Sequence, residues 1–247
     1  MSKRYVLFLI LLCSAVFDHN VAIGQNKIVD STQESTLNLN MANVYNKAIG
    51  PQSALYNGPA FIPYKFISKT NANFNDTTSF NNGKVNYDGI VYTNAPLMYD
   101  LNKDLLLSHL HDGATVYSLV SEKVYEFNLF NHHFVRIIAD TVNKQLATGF
   151  YDELYNSKLR LLVHRTKKIN DEINQQKVIY SFIPSNDYYL KKGMTYYEVN
   201  SLSKFLDVLK DRKKELKQYI KDNKIRFRDD PEKAMLILAT NYDHLTN

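Results

Sequence analysis

The sequence predicts a mainly β fold, an antiparallel sandwich or partial barrel with an N-terminal helix and a C-terminal helical hairpin. Three observations carry that reading. Short strand-like runs alternate with turn residues about every eight to twelve positions between Lys84 and Val199. Tyrosine and phenylalanine are abundant, at 18 and 13 residues, and such rings suit pleated, half-buried surfaces. After Ser201 the apolar spacing changes to a helical period.

The chain opens on a targeting pattern. Lys3 and Arg4 precede an apolar run from Tyr5 to Phe17, and Ala22-Ile23-Gly24 is a small-x-small cleavage signal. Residues 1–24 therefore read as a secretory signal peptide. The run is shorter than the roughly 20 residues a spanning helix needs, and no later segment has such a run. The expected address is exported, periplasmic or extracellular, without a transmembrane segment in the mature chain. Leu12 before Cys13 is a poor fit to a lipidation signal. Cys13 is the only cysteine and leaves with the leader, so disulfides, thiolate zinc sites and cysteine nucleophiles are excluded from the mature product.

Residues 25–200 read as a β-rich domain with an N-terminal helix, and 201–247 as a helical hairpin packed on it. Leu37, Met41, Val44, Tyr45 and Ala48 share one helical face, stopped by Gly50-Pro51. Leu55 to Phe66 is irregular or edge strand, because Pro59 and Pro63 donate nothing to a ladder. A polar loop follows from Asn71 to Asn82. Strands flank Asp88-Gly89, Pro96 opens a new segment, and Asp112-Gly113 marks a further hairpin. Turns are expected at Asn131-His132, Asn156-Ser157, Ser185-Asn186-Asp187 and Lys192-Gly193. Asp211 to Lys214 is a charged turn between helical stretches. Asp230-Pro231 supplies an N-cap and a first-turn proline for the last helix.

Three groups of segments carry a resemblance: Leu55-Tyr56-Asn57-Gly58-Pro59, Tyr87 to Tyr92 running into Leu97 to Asp104, and Gly149-Phe150-Tyr151 with Leu154-Tyr155. The stretch from Phe205 to Ile220 fits with them. In this order they resemble a group of uncharacterised exported proteins of the Bacteroidetes type. That group has no established activity, so the resemblance implies export and assigns no catalytic residue.

His109 and His111 stand at i and i+2 on an expected strand, with Asp112 beside them. Two imidazoles on one face could ligate a metal, and a solvated strand end explains them equally. His132 and His133 read as exposed turn residues. Asp88, Asp100, Asp104 and Asp112 form the densest acidic set, and turn chemistry accounts for them. Tyr180, Tyr188, Tyr189, Tyr196 and Tyr197 cluster near the end of the sheet, as a ligand platform or as cross-strand packing. The segments Asp30-Ser31-Thr32, Asp76-Thr77-Thr78 and Asp140-Thr141-Val142 fit a short O-glycosylation pattern.

The sequence holds no Gly-x-Ser-x-Gly, no His-Glu-x-x-His and no phosphate-binding glycine loop. No cofactor is expected. The net charge of +5 is concentrated between Lys204 and Arg228, and no recognition motif points to nucleic acid. The leading expectation is a non-catalytic envelope or secreted protein that binds an envelope protein, glycan or lipid. A half-barrel holding an apolar or glycan ligand, with the helices as its lid, comes second. A hydrolase with a scattered carboxylate and histidine site comes third.

Overall fold

The computed structural model describes residues 54–110, 112–139, 145–174 and 177–246, together with Met41 and Val44. The expected N-terminal helix therefore lies outside the described residues, apart from those two positions.

The fold is mainly antiparallel β. Ten strands form one sheet: β1 Asn81–Tyr87, β2 Ile90–Asp100, β3 Leu105–His109, β4 Val116–Ser118, β5 Val124–Leu129, β6 His132–Ile137, β7 Gly149–Asn156, β8 Leu159–Asn174, β9 Lys177–Lys192 and β10 Thr195–Glu198. Their order is β10-β9-β8-β7-β6-β5-β1-β2-β3-β4. Three helices end the chain: α1 Leu202–Val208, α2 Lys213–Asp222 and α3 Pro231–Leu245.

Strands β1 and β2 meet at Asp88-Gly89, both at positive φ, as the turn residues foretold. Pro96 does not open a new segment. It lies inside β2, which stays continuous because Asn94, at φ 56°, forms a bulge. The bulge shifts the phase of the strand. Tyr92 is buried before it, and Ala95, Leu97 and Tyr99 are buried after it. Residues 90–97 pair with β1 and residues 98–100 with β3, so β2 changes partners a few residues after the bulge.

The sheet is not flat. In a flat sheet β4 and β5 would stand four strand spacings apart, roughly 19 Å. The connection between them, residues 119–123, contains a tight turn at Ser121–Lys123 and is too short for that span. Side chains from β1 to β7 accordingly converge on one core. Its centre is aromatic: Phe127 stacks on Phe134 at 4.7 Å, and Tyr99 meets both edge-on at 5.2 Å. Each such pair adds about 1 kcal/mol beyond its buried area.

A second core lies between the other half of the sheet and the helices. Leu159, Leu161, Val163 and Leu190 meet Phe205, Leu209, Leu216, Met235, Leu238 and Ala239, all fully buried. These side chains fill the space between the strands and the helices as one core. Ser201 caps α1 by accepting from the Lys204 N–H, and Asp230 caps α3 through the Lys233 N–H, with Pro231 in the first turn. The expected hairpin is in fact three helices, because the charged stretch Lys210–Arg212 is a separate tight turn.

Three turns differ from expectation. Leu129 pairs with His132, which moves the turn to Phe130-Asn131 and puts both histidines on β6. Ser185, Asn186 and Asp187 make no turn, because each pairs with β8 in an unbroken ladder. Asp112-Gly113 belongs to a longer loop between His109 and Val116. There the Asp112 carboxylate accepts from the Ala114 and Thr115 amides.

Candidate functional site

Segment 59–70 works as a strap. It first covers the edge of β4: the Ser118 N–H donates to the Pro59 carbonyl and the Phe61 N–H to the Val116 carbonyl, both at 3.0 Å. It then crosses to the edge of β9. The Lys69 N–H donates to the Tyr180 carbonyl at 2.9 Å, and the Thr70 hydroxyl bridges the Phe182 N–H and carbonyl at 2.7 and 3.1 Å.

Between the strap and the curled strands runs an open groove of about 560 Å³. Phe61, Tyr64 and Phe66 line it from the strap, Phe182 from β9, and Met98 and Leu107 from β2 and β3. The rings hold one another. Phe66 stacks on Tyr180 at 4.3 Å, and Tyr64 meets Phe182 edge-on at 4.8 Å. The Lys103 ammonium sits 4.4 Å from the Phe61 and Tyr64 rings.

The polar groups along this groove are already engaged. Asp100 is buried and takes hydrogen bonds from the Tyr64 hydroxyl and from the Asn102 and Lys103 amides. Burial and the neighbouring Asp100 charge push the Tyr64 phenol far above its ordinary value, so it stays a hydrogen-bond donor. Asn71 and Asn73 donate to the Asp76 and Thr77 carbonyls. The surface left for a ligand is therefore mainly aromatic and aliphatic.

A second open cleft, of about 800 Å³, lies where the starts of α1 and α3 approach Tyr188. Asn200, Leu202, Phe227 and Pro231 line it with Arg226 and Arg228. The Tyr188 hydroxyl donates to Glu232 at 3.1 Å. Burial, then the Glu232 charge, push its phenol up to about 12.

The tyrosines singled out in the sequence do not form one platform. Strand alternation sends them to different faces. Tyr188 faces the helices. Tyr196 is buried on the opposite face with Val135, Tyr151 and Leu162, against which Tyr189 packs. Tyr197 is exposed on β10. Tyr180 stands apart from them, against the strap. His109 bonds the Leu110 carbonyl through Nδ1 at 2.8 Å, and its ring meets Phe80 edge-on. His111 lies outside the described residues. Among the described residues no group of three or more His, Cys, Asp or Glu could hold a metal ion.

His132 and His133 are half-buried on β6, on opposite faces, and are not the exposed turn residues expected. His132 Nδ1 lies 2.7 Å from Asp152 Oδ2. The same oxygen accepts from Arg165 Nε at 2.8 Å, and Arg165 continues to Glu232. An orienting carboxylate held this firmly by a guanidinium makes the dyad part of an ionic network joining sheet and helix. His133 stands between Glu126 and Glu153, at 3.7 and 3.6 Å.

Asp104, read from sequence as a turn residue, is at φ 54° and also partly buried. It accepts from the Tyr99 hydroxyl at 2.6 Å and the Phe150 N–H at 3.3 Å. A Cβ at Gly149 would meet its Oδ2 at 2.7 Å and His164 Nε2 at 3.4 Å, so the absence of a side chain there lets the carboxylate in. Burial raises the Asp104 carboxyl and lowers the His164 imidazole from their ordinary values.

The groove residues Phe61, Tyr64, Phe66 and Phe182 were not among the sequence candidates. The signal for the first three was the aromatic density of a proline-containing segment, Phe61-Ile62-Pro63-Tyr64-Lys65-Phe66, and no pattern marked Phe182. Comparison with protein-family models, curated proteins and solved structures found no match.

Proposed function

We propose that the chain is an exported, non-catalytic protein of the envelope or secreted space that binds another protein through the aromatic groove. The observation that carries this reading is a groove walled mainly by half-buried rings and aliphatic side chains, beside polar groups that already hold hydrogen bonds inside the fold. A saccharide needs several free donors and acceptors for its hydroxyls, and Asn71, Asn73, Asp100 and Tyr64 each already hold a hydrogen bond inside the fold. An apolar side chain from a partner needs only the rings. The targeting pattern of residues 1–24 supports a periplasmic or extracellular address, and so does the resemblance to exported Bacteroidetes-type proteins.

Peptide display on the purified chain tests the groove. Ala114 lines it from an exposed position, so Ala114→Trp fills it without removing a core contact. Peptides with clustered apolar side chains should be enriched on the native chain and bind the variant roughly tenfold more weakly or worse. Binding to a glycan array without such enrichment would overturn the protein-partner reading. For the leader, terminal sequencing of the exported protein should begin at Gln25.

A further inference from the structure

Strands β8 and β9 pair without a break from Leu159↔Lys192 to Asn174↔Lys177, while β7 leaves β8 after Val163. The loop after β2 takes over briefly, as the Lys167 N–H donates to the Leu101 carbonyl and Asn102 Nδ2 to the Lys167 carbonyl. Beyond Lys167, among the described residues, no chain pairs with the outer edge of β8. Every residue from Lys168 to Ile173 is exposed there, Ile169 at 43% and Ile173 at 80%. An open edge carrying apolar side chains is a template for another strand.

The polarity of that edge can be read from the strap. Thr70 bonds both main-chain groups of Phe182, so these point away from β8. Ile169 stands opposite Phe182, so its own N–H and carbonyl point to the free edge. Asp171, opposite Tyr180, does the same.

We propose that this edge pairs antiparallel with the same edge of a second copy of the chain, about a two-fold axis at Asn170. In that register Ile169 and Asp171 of the partner subunit exchange both backbone hydrogen bonds, and the symmetric pair repeats them. Lys168 then lies directly opposite Glu172 of the partner subunit, and Glu172 opposite the partner subunit's Lys168. Charge complementarity thus selects this register over the next one, centred on Asp171, which sets two Asp171 carboxylates against each other. The pairing turns two exposed two-stranded arms into one four-stranded sheet, a more stable unit.

Sedimentation of the full chain should show a reversible dimer. Lys168→Glu and Glu172→Lys, each alone, set like charges opposite one another and should weaken it roughly tenfold or more. The double reversal restores both pairs and should restore the dimer. Both side chains are exposed, so folding is preserved in every variant. In a Cys13→Ser background, Asn170→Cys faces its own mate in a non-hydrogen-bonded pair with Cα atoms about 4.5 Å apart. Oxidised glutathione should join it into a disulfide dimer and leave Ile173→Cys unjoined. A chain monomeric at all concentrations, or a dimer indifferent to charge reversal, would overturn the proposal.

Discussion

Arg165 grips Glu232 through two hydrogen bonds of 2.8 Å each, and so ties strand β8 to the first turn of helix α3. Its Nε donates at the same time to Asp152, which is 1% exposed. Removing the guanidinium leaves that carboxylate buried with only His132 beside it. Arg165→Met is expected to cost about 3–5 kcal/mol, read from urea unfolding at constant pH. Adding Asp152→Leu removes the stranded charge and should recover most of the loss. A double variant no more stable than the single one would mean that Arg165 acts through its contact with Glu232.

Local chemistry made some of these elements legible. Asp230-Pro231 marked the start of α3 because an N-cap and a first-turn proline act within one helical turn. Asp88-Gly89 marked its hairpin for the same reason. The triplet Ser185-Asn186-Asp187 carries equally good turn chemistry, yet it lies in β9. Its cross-strand partners Thr166, Arg165 and His164 are about twenty residues away, and their ladder outweighs the local preference. The groove was hidden for a similar reason. Thr70 and Phe182, separated by 112 positions, bring the strap to β9, and no spacing pattern records that contact.

Gly58 lies against the edge of β4. A Cβ there would overlap the Ser118 carbonyl oxygen and crowd the Tyr117 ring. The obstacle includes backbone, so relief requires the strap to move. Gly58→Ala should break the bonds between residues 59–61 and β4 and expose its edge. Hydrogen exchange should then show faster exchange at the Phe61 and Ser118 amides, while the helices keep their protection. Unchanged exchange at both amides would show that the strap can shift without releasing the edge.

The interface between sheet and helices rests on side chains with no solvent contact. Leu238 is fully buried among β8 and β9 side chains and helix neighbours. Leu238→Ala removes apolar contact and leaves a void, which costs about 2–5 kcal/mol. Ile173→Ala, at an exposed position on the same long hairpin, should change the stability of the monomer by less than about 0.5 kcal/mol. Measured by denaturant midpoint at low protein concentration, the two should differ by several-fold. Equal effects would contradict a core under the helices.

Asp104 and His164 give stability two pH dependences of opposite sign. Burial lowers the His164 imidazole from its ordinary 6.5, against the opposing charges of Asp104 and Asp187. The unfolded chain therefore binds the proton more readily, and stability falls as pH drops below about 6.5. Burial raises the Asp104 carboxyl from 3.8, although Tyr99, His164 and the Phe150 amide favour its charged form. Here the folded chain takes the proton more readily. That contribution is complete below about pH 3.8 and is lost as pH rises through the folded value. His164→Phe, which can retain the stack on Tyr151 at 4.7 Å, should flatten the loss of melting temperature below pH 6.5. Asp104→Asn should gain on the native chain as pH rises from about 4, because the native carboxylate alone must ionise in its buried site. Melting temperatures of the three chains between pH 4 and 8 check both signs, and parallel curves would show that neither group changes its proton affinity on folding.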